Sequence, residues 1–230
     1  MNRREFVPGC LMASALASPF IATSAPQARL PERTTIKVAF LLGADTNVID
    51  TAGPWEVFQD VMVMRAGAHA NPFEMFTVGP GDSPLAMTGG LRVVPDYDID
   101  SAPTADVIVV PAQRATAAAL EWLRTSSKGA DMVMSVCTGA YQLARAGLLD
   151  GLNATTHHDF WDDFAREFPK VRLQRGTRFV DNGRIATSAG LTSGIDLALH
   201  VVARYLGDDA AAATAKYMEW KMGTLPIPGK

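Results

Sequence analysis

A cysteine stands where the sequence predicts a change from strand to helix. Residues 132–136 are apolar apart from one serine, which predicts a short buried strand, and Cys137 follows them directly. Residues 140–146 predict a helix, so the thiol would lie beside free N–H groups at the positive end of a helix dipole. Such surroundings favour the thiolate, which is the nucleophilic form of cysteine. Cys137 is therefore a candidate nucleophile, and the alternative is a small buried hydrophobe.

Asp50 is the second candidate for chemistry. It lies in the loop between a predicted first strand at residues 35–42 and a predicted helix at residues 54–65. In a parallel sheet the loops that follow the strands open on the same edge, so Asp50 and Cys137 are expected there together. A carboxyl group at such an edge can act as a general acid and base. The alternative is an aspartate that caps the following helix.

Strand and helix alternate through the first 150 residues. The remaining predictions are strands at 73–78 and 106–110, helices at 116–124, 159–168, 191–205 and 210–222, and a hairpin turn at 181–183. This alternation predicts an α/β fold of the flavodoxin-like, doubly wound type. Such a fold has a mostly parallel sheet with helices on both faces.

Composition and charge restrict the class of protein. The chain has 230 residues, 48% of them hydrophobic, and no long linker divides it. This predicts one α/β domain at residues 34–222, followed by a tail at 223–230. The formal net charge of −3 and the lack of a basic run argue against nucleic acid as a partner. The most apolar stretch, residues 191–206, carries three ionisable side chains, so no membrane span is expected in the mature chain.

Residues 1–28 predict a secretory signal rather than part of the fold. Arg3 and Arg4 precede a stretch rich in alanine and serine, a pattern similar to a twin-arginine signal. The mature protein is therefore expected in the periplasm or outside the cell, and it would be cytoplasmic if the segment does not work as a signal. Cleavage would remove Cys10 and leave Cys137 without a partner for an internal disulfide.

Four segments together resemble the ThiJ/PfpI superfamily, which belongs to the class I glutamine amidotransferase-like folds. They are 49–58 (IDTAGPWEVF), 135–140 (SVCTGA), 154–158 (ATTHH) and 187–196 (TSAGLTSGID), and the similarity covers about residues 34–220. The Asp-x-x-Gly-Pro and Cys-Thr-Gly motifs are most similar to those of isonitrile hydratases. This resemblance implies Cys137 as the nucleophile, Asp50 as the acid/base partner and Thr138 as an assisting group. It also implies a homodimer, and no cofactor is expected.

These residue types suit the hydration of an isonitrile to an N-substituted formamide. A thiolate attacks the isonitrile carbon while an acid protonates it, and water then hydrolyses the thioimidate with the help of a base. Asp50 can serve both steps. Thr138 offers a hydroxyl and a backbone N–H, with Gly139 beside it, to hold the substrate or the water. Gly139, Gly53 and His157 are the predicted substrate-binding or oxyanion-binding residues for a small electrophile.

Two neighbouring histidines leave other reactions open. His157 and His158 could polarise the thiol, as in relatives with glyoxalase or deglycase activity, or they could be ordinary surface or core histidines. Hydration of α-oxoaldehydes, dependent on His157, is therefore the alternative reaction. A redox-sensing or scavenging thiol without turnover is the alternative class of function. No further Cys or His lies at ligand spacing, so no metal is expected.

Two branches of the superfamily are disfavoured by particular residues. The peptidase-like relatives carry a histidine directly after the cysteine, where this chain has Thr138, so proteolysis is not expected. The regulators add a C-terminal helix-turn-helix, whereas ten residues with two prolines follow Trp220 here. The sequence therefore predicts an enzyme rather than a transcription regulator.

Overall fold

A seven-stranded sheet lies at the centre of the part of the chain that the structure describes. The computed structural model describes residues 29–65, 67–81 and 83–221. The strands are β1 (Ile36–Leu41), β2 (Val63–Arg65), β3 (Ala68–Ala70), β4 (Phe73–Gly79), β5 (Leu85–Ala86), β6 (Arg92–Val93), β7 (Tyr97–Asp98), β8 (Val107–Val110), β9 (Met132–Ser135), β10 (Asn153–Ala154), β11 (Arg172–Leu173), β12 (Phe179–Asp181) and β13 (Ile185–Ser188). The helices are α1 (Val48–Gln59), α2 (Ala117–Ser126), α3 (Gly139–Arg145), α4 (Trp161–Glu167), α5 (Ser193–Leu206) and α6 (Asp208–Tyr217).

The order of the central sheet confirms the predicted fold class. Its strands follow one another as β12-β13-β9-β8-β1-β4-β7, and only β12 is antiparallel to its neighbour. The chain leaves β1 first towards β4 and β7 and then returns to build β8, β9 and β13 on the other side. This reversal is typical of a doubly wound, flavodoxin-like sheet. Three two-stranded ladders, β2–β3, β5–β6 and β10–β11, lie outside it.

The central strands supply two separate cores. Phe40 of β1 packs with Phe58 of α1 and with α5 on one face, whereas Leu41 packs with Leu123 of α2 and with α3 and α4 on the other. Side chains alternate between the two faces of a strand, so a strand covered by helices on both sides must be apolar at every position. This is why a near-continuous apolar run such as 106–110, in which only Asp106 is polar, predicted a central strand.

Helix α1 differs from its prediction at both ends. It covers Val48–Gln59 rather than 54–65 because the Asn47 side chain accepts hydrogen bonds from the first N–H groups and caps the helix there. At the other end, the Asn71 side-chain amide donates to two of the last carbonyls. Both cap residues lie outside the apolar pattern from which the helix was predicted. The residues after the helix form β2, which pairs with β3.

Three later predictions can also be compared with the structure. The predicted helix at 159–168 is a 3-10 turn, His158–Phe160, followed by α4, and Phe160 is 43% exposed. The predicted last helix is α6, which ends at Tyr217. The hairpin turn at 181–183 is confirmed, because β12 and β13 are antiparallel and Gly183 has a φ of 99°.

The predicted signal at residues 1–28 and the predicted tail at 223–230 lie outside the described residues. Within the described ranges, no helix is both long enough and apolar enough to cross a membrane.

A cluster of charged side chains lies at the edge of the sheet where β8 and β9 begin. The Arg33 guanidinium lies 2.7 Å from an Asp131 carboxylate oxygen and 3.1 Å from one of Asp106. Asp131 also accepts the Tyr205 hydroxyl at 3.0 Å, and Asp106 accepts the Lys37 N–H at 2.8 Å. The hydrogen bond to Asp131 raises the pKa of Arg33 further above its usual range. The cluster therefore joins the segment before β1 to two central strands and to α5.

We expect Arg33→Ala to destabilise the fold by about 1–2 kcal/mol, since it leaves two carboxylates close together without a cation. The value is modest because the Arg33 side chain is 35% exposed and partly screened by water. Urea unfolding followed by circular dichroism measures the loss. Arg124→Ala, which removes the exposed Arg124–Glu121 pair, is the control and should change stability by less than about 0.5 kcal/mol. Equal losses of unfolding free energy in the two variants would show that the cluster stabilises the fold no more than an exposed ion pair does.

Candidate active site

Asp50 lies in the first turn of α1 and is completely buried. The carboxylate oxygen Oδ2 accepts the backbone N–H of Ala112 at 3.1 Å, just beyond the end of β8. Oδ1 has no nitrogen or oxygen donor among the described residues, and the Cys137 thiol is the side-chain partner of the carboxyl group. Asn47 performs the capping that was the alternative role for Asp50. The side chain is therefore free for another task.

Cys137 follows β9 and has a φ of 58°, in the left-handed region that non-glycine residues rarely adopt. Its N–H donates to the Ala189 carbonyl at 3.0 Å, and its carbonyl accepts the Thr156 hydroxyl at 3.0 Å. These two bonds hold the residue between the loops that follow β13 and β10. Three of the segments that carried the sequence resemblance therefore meet around one residue.

Backbone and side-chain donors surround the sulfur. The N–H groups of Thr138 and Leu191 and the Thr138 hydroxyl all act as donors towards Sγ and lower the thiol pKa. Leu191 was not among the predicted site residues, although it belongs to the segment 187–196 of the resemblance. Its own φ is 52°, which turns the chain sharply after Gly190. Leu191 contributes its backbone N–H, which the type of the residue does not indicate. Its place in the site could therefore be found only from the folded structure.

Burial decides the protonation of both groups. Burial raises the pKa of Cys137 to about 12, and the charge of Asp50 adds to this increase. Burial also raises the pKa of Asp50 to about 7, against the smaller opposite effects of the Ala112 N–H and the Cys137 thiol. The expectation that the helix start favours the thiolate is therefore wrong for this site. The predicted donors are present and lower the thiol pKa. The loss of hydration of the charged sulfur on burial raises the pKa by more than these donors lower it.

The two predicted binding glycines occupy tightly packed positions. A Cβ on Gly139 would lie 2.0 Å from the Val110 carbonyl oxygen, and its N–H already donates to the Val136 carbonyl at 2.9 Å. A Cβ on Gly53 would lie 2.9 Å from Ile195, at the contact of α1 with α5. Close packing explains both glycines, and a role in substrate binding stays a prediction.

His157 lies near the site but serves other contacts. Its ring packs against Gly190, where a Cβ would be 2.2 Å from His157 Cδ2. Nδ1 accepts the Asp159 N–H at 3.2 Å, so the ring proton is on Nε2 in the neutral form. Burial lowers the pKa of His157, and His158 lowers it further. No interaction between His157 and the Cys137 sulfur is found among the described residues, and its role in binding stays a prediction.

Ligand atoms of His157, His158 and Asp159 lie within 4.8 Å of one another. The two imidazole rings are stacked, with centroids 4.4 Å apart and an interplanar angle of 24°. An imidazole binds a metal in the plane of its ring, so two stacked rings direct their lone pairs side by side rather than towards one point. This arrangement does not fit one ion held by both histidines. The expectation of a site without metal stays a prediction.

The sequence around this site identifies the family. The profile of the DJ-1/PfpI family matches residues 36–204, which include Asp50, Cys137 and His157. The chain belongs to the DJ-1/PfpI family. Isonitrile hydratase from Pseudomonas putida is 29% identical over 194 residues, which are 80% of this chain and 78% of that protein.

Other proteins similar to this chain carry different names. The HTH-type transcriptional regulator GbdR from Pseudomonas aeruginosa (strain UCBPP-PA14) is 33% identical over 132 residues, which are 55% of this chain and only 36% of the regulator. The crystal structure of a ThiJ/PfpI family protein from Pseudomonas syringae is 24% identical, with a TM-score of 0.72 over 94% of this chain and 85% of that one. The structural similarity confirms the fold. Membership of the family does not by itself decide the activity.

We expect Asp50→Asn to stabilise the protein at neutral and alkaline pH. The folded pKa of about 7 lies above the ordinary value of 3.8, so the protonated carboxyl contributes stability that is complete below pH 3.8 and lost as the pH rises through 7. Asparagine can still accept the Ala112 N–H but does not ionise. The gap in free energy of unfolding between variant and wild type should therefore widen from pH 4 to pH 8, by up to about 4 kcal/mol.

Urea unfolding at a series of pH values measures this gap. Asp209→Asn, at an exposed residue in the first turn of α6, is the control and should follow the wild-type pH dependence. A difference in free energy of unfolding that stays constant from pH 4 to pH 8 would mean that ionisation of Asp50 does not destabilise the folded protein.

Proposed function

We propose that the protein is a cysteine-dependent hydratase that converts an isonitrile to an N-substituted formamide. The observation that carries this proposal is the burial of Asp50 beside Cys137, with a carboxyl pKa of about 7. Between the pKa values of the two groups, the pair holds one proton in a site from which water is largely excluded. Hydration of an isonitrile needs a group that both gives and takes a proton, and a carboxyl poised near neutrality suits that task.

The first step forms the thioimidate. The Asp50 carboxylate takes the thiol proton of Cys137 as the sulfur attacks the isonitrile carbon. The S–H bond breaks, the S–C bond forms, and the carboxyl group delivers the proton to the same carbon. Asp50 ends the step as a carboxylate, and the product on the enzyme is a thioimidate with one C–H bond. A free thiolate is not required, which agrees with a thiol pKa of about 12.

The second step releases the formamide. The Asp50 carboxylate takes a proton from water as the water oxygen attacks the thioimidate carbon, and it then protonates the substrate nitrogen. In the resulting adduct the C–S bond breaks, the hydroxyl proton returns to sulfur through Asp50, and the carbonyl of the formamide forms. The N–H groups of Thr138 and Leu191 stabilise the leaving sulfur as it gains charge. The balance is one isonitrile and one water to one formamide.

The relatives and the site agree better with this reaction than with the alternatives. The similarity to isonitrile hydratase extends over most of both chains, whereas the aligned part spans about a third of the regulator GbdR. α-Oxoaldehyde hydration dependent on His157 would need that ring at the sulfur, and its Nδ1 instead accepts the Asp159 N–H. A redox sensor requires an accessible thiolate, and Cys137 is 6% exposed with a raised pKa.

Turnover of cyclohexyl isonitrile, with the formamide followed by mass spectrometry, tests the proposal. We expect many turnovers per protein molecule in the wild type and none in Cys137→Ala. Asp50→Asn should lower kcat by roughly 10²–10⁴-fold, because it removes the proton carrier. The same variant should be alkylated faster by iodoacetamide at pH 9, because Asp50 no longer opposes ionisation of the thiol. If folded wild-type protein forms no formamide, isonitriles are rejected as substrates. α-Oxoaldehydes are then the next substrates to test.

The dependence of kcat/KM on pH tests the starting protonation state. The step begins from carboxylate and thiol, so kcat/KM should rise about tenfold per unit below pH 7 and level off above it. A rate that falls as the pH rises through 7 would mean that Asp50 must enter the reaction protonated. The non-enzymatic acid hydrolysis of the isonitrile is subtracted with the Cys137→Ala protein at each pH.

A further inference from the structure

The turn that carries Leu191 connects the end of β13 to the start of α5. Its direction matters because the Leu191 N–H is a donor to the Cys137 sulfur. Leu191 has a left-handed φ of 52°, and a residue other than glycine keeps such a conformation only where its surroundings hold it. The contacts that hold this turn therefore also decide whether the N–H reaches the sulfur.

The start of α5 holds the turn from one side. The Ser193 N–H donates to the Gly190 carbonyl at 3.1 Å, and the Gly194 N–H donates to the Leu191 carbonyl at 3.0 Å. The cap residue, Thr192, makes no side-chain hydrogen bond to the helix. The first N–H groups of α5 are thus bound by carbonyls of the turn, so the turn and the helix start form one hydrogen-bonded unit.

Arg178 holds this unit and the end of β13 together. Its carbonyl accepts the Ala189 N–H at 2.8 Å, and its side-chain Nε donates to a carboxylate oxygen of Asp196 in the first turn of α5. The Trp220 indole N–H donates to the other oxygen of Asp196 at 2.8 Å. The Arg178 and Asp196 side chains are 15% and 1% exposed, so water screens their attraction little.

These contacts form a closed ring that begins and ends at Cys137. The Cys137 N–H donates to the Ala189 carbonyl at 3.0 Å, and the Ala189 N–H donates to Arg178. The Arg178 side chain pairs with Asp196, and the helix that carries Asp196 is bonded to the turn of Leu191. The Leu191 N–H then returns to the Cys137 sulfur. Only the Arg178–Asp196 link of this ring joins two side chains, so a substitution can remove it while the backbone links remain.

We propose that the buried Arg178–Asp196 ion pair is a positioning element that keeps the Leu191 N–H directed at the Cys137 sulfur. The proposal rests on the proposed function, in which this N–H stabilises the sulfur as it leaves the substrate carbon. Arg178 and Asp196 act through Leu191, so they are positioning residues rather than catalytic ones. The alternative is an ion pair that stabilises the fold and has no effect on the reaction.

Arg178→Gln tests the proposal, because it breaks the ion pair and keeps the carbonyl that binds Ala189. We expect kcat for cyclohexyl isonitrile to fall by roughly 10–100-fold, the effect of a misplaced donor. The value of kcat/KM should change far less, since the N–H assists the breaking of the C–S bond rather than its formation. Mass spectrometry of the intact protein should then show a covalent adduct on Cys137 during turnover. Arg178→Lys can still pair with Asp196 and should restore most of the rate.

Arg33→Gln is the matched control. It is the same substitution in a second ion pair between an arginine Nε and an aspartate, Arg33–Asp131, at the opposite edge of the sheet. It should destabilise the fold but keep the wild-type kcat, and no adduct should accumulate. Equal effects on kcat in the two glutamine variants, or an unchanged kcat in Arg178→Gln, overturn the proposal.

Alkylation of Cys137 by iodoacetamide at pH 9 separates failure of this proposal from failure of the hydratase proposal. Arg178→Gln should be alkylated roughly three- to tenfold more slowly than the wild type, because the reacting thiolate loses one hydrogen-bond donor. A site that is simply loosened would admit the reagent and react faster. If the wild type turns over no isonitrile, the hydratase proposal fails, and this rate alone decides the positioning role. A rate equal to or above that of the wild type then overturns it.

A second variant covers the case in which Arg178→Gln does not fold. Asp196→Asn removes the charge that Arg178 binds and can still accept the Trp220 N–H. It replaces Arg178→Gln in both assays, with the same expected results and the same criteria for rejection.

Discussion

The chemistry proposed for this protein depends on the burial of one carboxyl group and one thiol at the same edge of a parallel sheet. Water no longer stabilises either charge, so simultaneous ionisation of the carboxyl group and the thiol is unfavourable. The pair therefore retains one proton. The fold creates this condition with few contacts. The Ala112 N–H beyond β8 holds the carboxyl, and the Thr138 and Leu191 N–H groups face the sulfur. In the proposed reaction, reactivity comes from proton transfer inside the pair rather than from a thiolate present at rest.

The backbone around Cys137 is held in a conformation that an isolated peptide would avoid. A left-handed φ at a non-glycine residue costs on the order of 1–3 kcal/mol, and hydrogen bonds to Ala189 and Thr156 compensate for it. Gly139 is required next to it, since any larger residue would collide with the Val110 carbonyl. The Cys-Thr-Gly motif is thus a packing requirement as well as a chemical one. It brings α3 close to β8 and keeps the thiol at the sheet edge.

The same scaffold is found in enzymes and in regulators, so the walls around the pair must distinguish the members. In this chain the two helices after the site, α3 and α4, carry the ion pairs Arg145–Glu167 and Arg166–Asp163. None of these side chains belongs to the motifs that identify the family.

The sequence alone determined the fold class, the sheet-forming runs and the meeting of Asp50 and Cys137 at one edge. Hydrophobic periodicity and the geometry of parallel sheets are local or topological properties, so a single sequence carries them. The ends of α1 were missed because Asn47 and Asn71 act through side-chain hydrogen bonds outside the apolar pattern. Only the tertiary structure decided the protonation of the pair and the part played by Leu191. Each depends on burial, and burial is a property of distant segments packed together.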